Sequence, residues 1–470
     1  MEPLSLEQIA NGCGGVLMRG AGGGVVERVC TDSRGIRRGD LFAAIRGERF
    51  DGHQFVSQAI RDGAVAAMVD QDFEAGSPAP FPLIQVEGTR PALGRLAGWW
   101  RDRLNPVCVA IAGSNGKTST KDMLGSVLRK AGDSIVSPAS FNNDLGVPLT
   151  LLQLGRQSKY AALEVGSNHP GELRPLLNLI RPAHGILTGI GPEHLEFFKD
   201  LDGVFEEESS LAEFISEDGF LLVPSDIHRL DDLRELTRGR VITVGVDSSA
   251  DWAASDLKLS WEGATFEVVG PDPDCGGPYR IPLLGRHQVV NALLVIGISS
   301  VLGIPAGQIR AGLSGCPRPG MRLEPVTVGG VRILNDAYNA NLDSMKAALA
   351  LLSELPVEGR RIAFLGDMGE LGHESSSSHR ELGVTVAASK LDVLVGVGER
   401  MFETVAVAGD LGTPRTVWVK SVAEAGSLMA ELVRDGDSIL LKASRFMRLE
   451  TVLEQYRSLT GGDGHPGRQA

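Results

Sequence analysis

The apolar run Val107-Cys108-Val109-Ala110-Ile111-Ala112 passes directly into Gly113-Ser114-Asn115-Gly116-Lys117-Thr118. Beyond it, Met123, Leu124, Val127 and Leu128 recur at helical spacing. Strand, glycine turn, Lys-Thr and helix N-terminus in that order form a phosphate cradle. The turn's N–H groups and the positive helix end face an anion, Lys117 adds charge, and the Thr118 hydroxyl can hold Mg²⁺. A nucleoside triphosphate is therefore the predicted ligand. A standard phosphate loop has glycine five residues before the glycine of its Gly-Lys pair. Here that position is Ile111, so the loop is shorter and its first glycine is Gly113. This departure points away from the common GTPases and ATPases.

A chain of 470 residues suggests about three domains. With 43% hydrophobic and 22% charged residues it has the composition of a globular protein with full cores. The formal net charge of −13 argues against nonspecific nucleic-acid binding and requires a phosphate site to be positive locally. The five cysteines are scattered with no CxxC pair, the pattern of reduced thiols in a cytoplasmic protein rather than of a disulfide framework or zinc site. Met-Glu-Pro-Leu-Ser at the start lacks the basic and apolar parts of a signal peptide. Val289 to Ile304, interrupted by Asn291, Gly297, Ser299 and Ser300, reads as a buried helix rather than a membrane span. No membrane insertion is expected.

Short β-like runs occupy the first part of the chain: Val25–Val29, Leu41–Ile45, Ala64–Val69 and Pro82–Val86. A helical stretch lies near Phe55 to Arg61, and Ser77-Pro78-Ala79-Pro80 reads as a loop. A helix with Leu93, Leu96, Ala97 and Trp100 on one side leads to a boundary at Asn105-Pro106. From Pro106 to Pro317, candidate strands Val107–Ala112, Tyr160–Val165, Ala183–Thr188 and Gly219–Val223 alternate with helices. This alternation predicts a parallel α/β sheet with ligands at the carboxyl ends of its strands. The segment Cys316-Pro317-Arg318-Pro319-Gly320 reads as a hinge. A second α/β pattern follows, with strands at Val331–Asn335, Arg361–Leu365, Val393–Gly396 and Ser438–Leu441, Rossmann-like but without GxGxxG. Domains are thus expected at 1–105, 106–317 and 318–460, and a disordered Gly-, Asp- and Pro-rich tail at 461–470.

Strand ends supply the candidate side chains. Glu164 can bind Mg²⁺ beside Thr118, because a triphosphate's metal takes hard oxygen ligands; a solvated strand-end charge is the alternative. His194 follows the next strand, where a second metal role competes with simple packing, and Glu193 and Glu196 are weaker candidates. Asp336, Tyr338, Asn339 and Asn341 follow the first strand of the last region, although an Asn/Asp-rich turn would look the same. Ser33 and Arg34, in Thr31-Asp32-Ser33-Arg34, suit a phosphate or carboxylate, or a capped turn with a surface arginine.

Several segments together resemble one family. Gly113–Thr118 is similar to the atypical phosphate loop of the Mur ligases and folylpolyglutamate synthetases. Asn335–Asn341 with Ser344-Met345, Leu365–Gly372, and Lys442-Ala443-Ser444-Arg445 with Met447 and Glu450 resemble signatures of the Mur ligases that add D-alanyl-D-alanine. Thr31–Arg34, Asp51-Gly52-His53, Asn142-Asn143 with Gly146-Val147-Pro148, and Gly285-Arg286-His287 with Asn291 fit as well. The resemblance spans about residues 25 to 455. It implies three α/β domains: an N-terminal UDP-substrate domain, a central P-loop-type ATPase domain, and a C-terminal Rossmann-like domain that closes over the nucleotide. It implies ATP-dependent joining of D-alanyl-D-alanine to UDP-N-acetylmuramoyl-tripeptide through an acyl phosphate, in peptidoglycan precursor synthesis, by a cytoplasmic monomer.

By the same resemblance, Gly113, Ser114, Asn115, Gly116, Lys117, Thr118 and Ser119 would cradle ATP, with Asn291, Arg322 and Asp336 also on the nucleotide. Thr118 and Glu164 would hold Mg²⁺, and His194 a second metal. Ser33, Arg34, Asn142, Asn143, Tyr338 and Asn339 would face substrate. Many Mur ligases carry a carbamylated lysine fourteen residues past the metal-binding histidine; here that position is Glu208, in Glu206-Glu207-Glu208. The expectation is that Glu208 supplies the negative group directly, as a third catalytic residue with Lys117 and His194. The alternative is a solvated acidic helix face. Leu342, Gln288 and Ala443 stand where the family often has proline, asparagine and glycine. Two other readings compete: a sibling amide ligase, and a nucleotide-dependent regulator that has lost catalysis.

Overall fold

The computed structural model describes residues 1–19, 24–47, 50–74 and 81–460. The loop expected at Ser77–Pro80 and the tail expected from Gly461 lie outside the described residues. Apolar runs such as Val107–Ala112, buried along nearly their whole length, suit strands covered on both faces. Nine strands form the largest sheet. Their spatial order is Gly277–Ile281, Gly263–Val269, Trp252–Ser260, Arg240–Val246, Phe220–Pro224, His184–Leu187, Val107–Ala112, Tyr160–Glu164 and Ser134–Val136. The first two run antiparallel to their neighbours and the rest pair in parallel.

Val107–Ala112 lies between Tyr160–Glu164 and His184–Leu187, with Glu164 paired to Ile111 and Leu187 to Ala112. Three strand ends, and the loops leaving them, therefore converge where the glycine turn begins. The strands expected at 107–112, 160–165, 183–188 and 219–223 are present within a residue or so at each end. Those between Arg240 and Ile281 were missed. Trp252–Ser260 carries Asp256 and Lys258 and its register shifts between Ser255 and Lys258, so its alternation is broken.

A five-stranded sheet forms in the first region, in the order Val16–Arg19, Leu83–Val86, Ala66–Asp70, Asp40–Ala43 and Arg28–Cys30. The last region carries six strands, in the order Glu324–Val328, Val331–Asp336, Ser438–Lys442, Arg361–Gly366, Val393–Val397 and Thr416–Val419. The Thr89–Leu104 helix buries Leu93, Leu96, Ala97 and Trp100, the face its spacing predicted. These side chains join one hydrophobic core with Leu151, Leu154, Leu176 and Leu177 of the central region. The opposite face of the central sheet packs against the buried Arg286–Val301 helix. The C-terminal sheet has its own cores, which of the central buried residues take in Trp261 and Leu284. Among the described residues no helix is long and apolar enough to cross a membrane.

Candidate active site

The turn after Val107–Ala112 needs its glycines. Gly113 has φ +116° and Gly116 φ +90°, conformations that L side chains rarely adopt. A Cβ on Gly113 would also lie 2.5 Å from Thr188 Oγ1, and one on Gly116 2.9 Å from Asn291 Oδ1. The first two loop amides are held by the protein. Gly113 N–H donates to Glu208 Oε2 at 2.7 Å, and Ser114 N–H to the Gly189 carbonyl at 3.0 Å. Among the described residues, the N–H groups of Asn115, Gly116, Lys117, Thr118 and Ser119 find no such acceptor. They crown the Lys117–Ala131 helix, where orphan donors and the helix dipole together attract an anion.

Lys117 Nζ donates to the Gly113 carbonyl and lies 3.8 Å from Glu193 Oε2. Burial disfavours the ammonium, but Glu193, Glu208 and Glu164 outweigh it, so its pKa is raised. Glu164 is 1% exposed. Its Oε1 accepts from Thr118 Oγ1 at 3.2 Å and Asn142 Nδ2 at 3.3 Å, while Lys121 Nζ stands 4.0 Å from Oε2. Among the described residues, Glu164 Oε2 is a buried acceptor with no hydrogen-bond partner. Burial, more than the opposing lysines, pushes the Glu164 carboxyl upward. Among the described residues no three His, Cys, Asp or Glu side chains cluster to hold a metal.

A cavity of about 700 Å³ opens over the loop, and both the central and the C-terminal region line it. Asp336 and Lys442 end adjacent parallel strands as register partners, with Nζ 2.6 Å from Oδ2. Asp336 Oδ1 also accepts from the Leu323 N–H at 3.0 Å. The Arg322 guanidinium lies over the Tyr338 ring, 4.0 Å from its centroid. Asn291 Nδ2 donates to Gln288 Oε1 at 3.3 Å beneath Gly116. His287 is half-buried on the cavity wall, and its removal from water lowers its pKa to about 4, so its imidazole is neutral near pH 7.

Polar contacts cross the cavity. Tyr338 Oη and Ser140 Oγ are 3.1 Å apart, and Asn341 Nδ2 donates to Asn115 Oδ1 at 3.2 Å. His194, with φ +48°, sets Nδ1 2.6 Å from Glu370 Oε2. That contact is too bent for an aligned hydrogen bond, and among the described residues Nδ1 has no other partner.

The cavity thus gathers Ser114 to Ser119, Asn142, Glu164, His194, Asn291, Arg322, Asp336, Tyr338 and Asn339. Three expected substrate residues lie off its wall. Asn143 Oδ1 accepts the N–H groups of Leu145 and Gly146 at 3.2 and 2.9 Å, an N-terminal helix cap. Ser33 and Arg34 form a turn at the edge of the N-terminal sheet, with Arg34 paired to Asp32 at 2.7 Å. Glu208 was expected beside a metal near His194, but its carboxylate contacts the loop backbone instead, and it is absent from the cavity wall. Nor is it part of a solvated acidic face, since it is 2% exposed. Glu193, a weaker candidate from the sequence, lines the cavity beside Lys117, whereas Glu370, Lys442 and Lys121 were not singled out as site residues. Lys442 was findable, because its strand end pairs with that of Asp336; Glu370 comes from a distant loop, and nothing local announces its contact with His194.

Three family models match in succession. They are described as Mur ligase family, catalytic domain (residues 25–100), Mur ligase middle domain (111–299), and Mur ligase, glutamate ligase domain (321–445). The UDP-N-acetylmuramoyl-tripeptide–D-alanyl-D-alanine ligase of Haemophilus influenzae is 34% identical, over 91% of this chain and 93% of that protein. The crystal structure of MurF from Acinetobacter baumannii aligns with a TM-score of 0.87 at 30% identity, covering 97% of this chain and 99% of that one. MurF ligase from Thermotoga maritima, solved in complex with ADP, shares the fold with a TM-score of 0.79 at 24% identity, covering 92% and 98%.

Proposed function

The chain belongs to the Mur ligase family, and we propose that it joins D-alanyl-D-alanine to UDP-N-acetylmuramoyl-tripeptide while ATP is cleaved to ADP and phosphate. The observation that carries the ATP half is the run of free N–H groups from Asn115 to Ser119, with Lys117 beside them in a cavity walled by two regions. A peptide carboxylate is a poor electrophile. One of its oxygens attacks the γ-phosphorus, the bond to the ADP oxygen breaks, and an acyl phosphate forms. The dipeptide amine then attacks the acyl carbon, the carbon–oxygen bond to phosphate breaks, and the amine gives up a proton. The first step brings two anions together, so positive charge and oriented N–H donors must be waiting. Lys117 and the helix N-terminus are those groups.

The unpartnered Glu164 Oε2 beside the Thr118 hydroxyl fits a hard divalent cation. A single carboxylate and a hydroxyl suit Mg²⁺, which completes its shell with phosphate oxygens and water. Bound there, it would neutralise charge on the β- and γ-phosphates. His194, with Glu370 beside it, is the candidate for a second cation. Asn291, Arg322 and Asp336 are assigned to the nucleotide, and Asn142, Tyr338 and Asn339 to the acceptor peptide. Ser33 and Arg34 are assigned to the UDP-sugar, apart from the cavity. Asn143 acts through the backbone it caps. We set the domain boundaries at 105/106 and 317/318. A reaction that consumes ATP suits the cytoplasm, and we assign a monomer.

The test is phosphate release from ATP with UDP-N-acetylmuramoyl-tripeptide, with and without D-alanyl-D-alanine. Release that needs both is expected. Release driven by another amino acid or by a folate in their place would overturn the substrate assignment, and nucleotide binding without turnover would overturn the enzyme.

A further inference from the structure

Glu206, Glu207 and Glu208 look alike in the sequence but have three different environments. Glu206 is exposed. Glu207 accepts the N–H groups of Gly171 and Leu173, at 2.7 and 2.8 Å. Glu208, 2% exposed at the end of the Leu201–Glu208 helix, reaches the first residue of the phosphate loop. Gly113 is gripped from both sides: Glu208 takes its N–H, and Lys117 donates to its carbonyl. Lys117 Nζ carries three N–H donors, so when it also meets a triphosphate its hold on Gly113 is shared rather than exclusive. Glu208, with the Ser114 N–H on the Gly189 carbonyl, fixes the positive-φ turn from which the free N–H groups are aimed, whatever share of Lys117 the phosphates take.

We propose that Glu208 is a positioning residue for phosphoryl transfer, holding the Gly113 peptide so that the Asn115–Ser119 amides stay aimed while Lys117 engages the γ-phosphate. The proposal rests on the ATP-dependent reading above. It requires a hydrogen-bond acceptor at Glu208, not a charge. The surroundings agree. Burial pushes the Glu208 carboxyl up to about 7, with Glu193 and Glu207 adding to the rise and Lys117 and the Gly113 N–H opposing it. A group about half neutral near pH 7 repels an anion above it less than a fully ionised carboxylate would.

Three variants of the full chain separate acceptor from charge. Glu208→Gln keeps an acceptor at full reach, Glu208→Asp keeps the charge but is one methylene too short, and Glu208→Ala removes both. The readouts are kcat, KM for ATP, and calorimetric binding of ADP and a non-hydrolysable ATP analogue at pH 6.5 and 8. Losing a buried hydrogen bond to a charged or ionisable group costs about 10- to 100-fold. That loss is expected in kcat for Glu208→Asp and Glu208→Ala. Glu208→Gln should stay within about 3-fold of wild type, on the scale of a neutral hydrogen bond. It should also bind the analogue with less change between the two pH values than wild type does. Wild-type behaviour in Glu208→Asp, or equal damage in Glu208→Gln and Glu208→Asp, overturns the proposal. If Glu208→Ala does not fold, the Gln and Asp pair still decides. If wild type binds nucleotide but releases no phosphate, the ligase reading fails, while the binding comparison still judges Glu208.

Discussion

The central region meets its two neighbours in opposite ways. Toward the N-terminus, Leu93, Leu96 and Trp100 run into an unbroken apolar core with Leu151, Leu154 and Leu177, and Trp100 Nε1–H donates to the Leu154 carbonyl at 3.0 Å. Toward the C-terminus, Trp261 and Leu284 give a small apolar contact. The rest of that junction is polar: Tyr338 on Ser140, Asn341 on Asn115, and Glu370 on His194, around the cavity. A dry core fixes its partners, whereas a polar, water-accessible junction can open at little cost. The proposed nucleotide site lies at the junction that can part, and closure there would assemble groups from both regions around one ATP.

The comparison can be broken at several points. The largest effect is expected at the polar junction's chemistry, where Lys117→Ala should lower kcat by about 10³-fold or more, since it removes the cation offered to the attacked phosphate. Steady-state phosphate release measures it, and a drop under tenfold would move the chemistry elsewhere. Next comes the dry junction. Trp100→Ala should cost about 3–5 kcal/mol, the range for emptying a buried aromatic site. Denaturant melts should show a markedly smaller loss for Trp261→Ala; equal losses would remove the contrast between the junctions.

A pH effect follows from Glu208. Its folded pKa of about 7 lies above the roughly 4.3 of an unfolded glutamate. The folded state therefore binds the proton more tightly, and this group's contribution to stability falls as pH rises from about 4.3 to about 7. Melts should show Glu208→Gln gaining on wild type across that window, with the larger gain at pH 8 than at pH 5. A pH-independent difference would contradict it. Smallest is Tyr338→Phe, which deletes the hydroxyl facing Ser140. The expected change in kcat/KM is about 2- to 10-fold, the size of one hydrogen bond, with an unaltered melt. A large fall in melting temperature would mean that the junction is held more firmly than its contacts suggest.

The parts legible in the sequence were local. The phosphate loop was readable because strand, glycines and helix are contiguous, and the parallel sheet was readable from apolar runs such as Ala161–Leu163. Glu164 and Asp336 were found because strand ends are where ligands collect in such sheets. What escaped depends on distant pairings. The Arg240–Ile281 strands carry polar residues and a register shift, so their period is masked. His194 and Glu370 are far apart in sequence and meet only through domain packing. Glu208 shows the limit most clearly. Its position counted from His194 suggested a metal-side group, yet where its helix ends decides that it reaches Gly113.

The acyl phosphate is the central claim, and oxygen labelling tests it. UDP-N-acetylmuramoyl-tripeptide with both oxygens of the reacting carboxylate replaced by ¹⁸O is turned over with ATP and D-alanyl-D-alanine, and the released phosphate is analysed by mass spectrometry. The carboxylate oxygen that attacks phosphorus leaves with it, so each phosphate should carry one ¹⁸O and the new amide should retain the other. Unlabelled phosphate formed in step with amide product would contradict the mechanism.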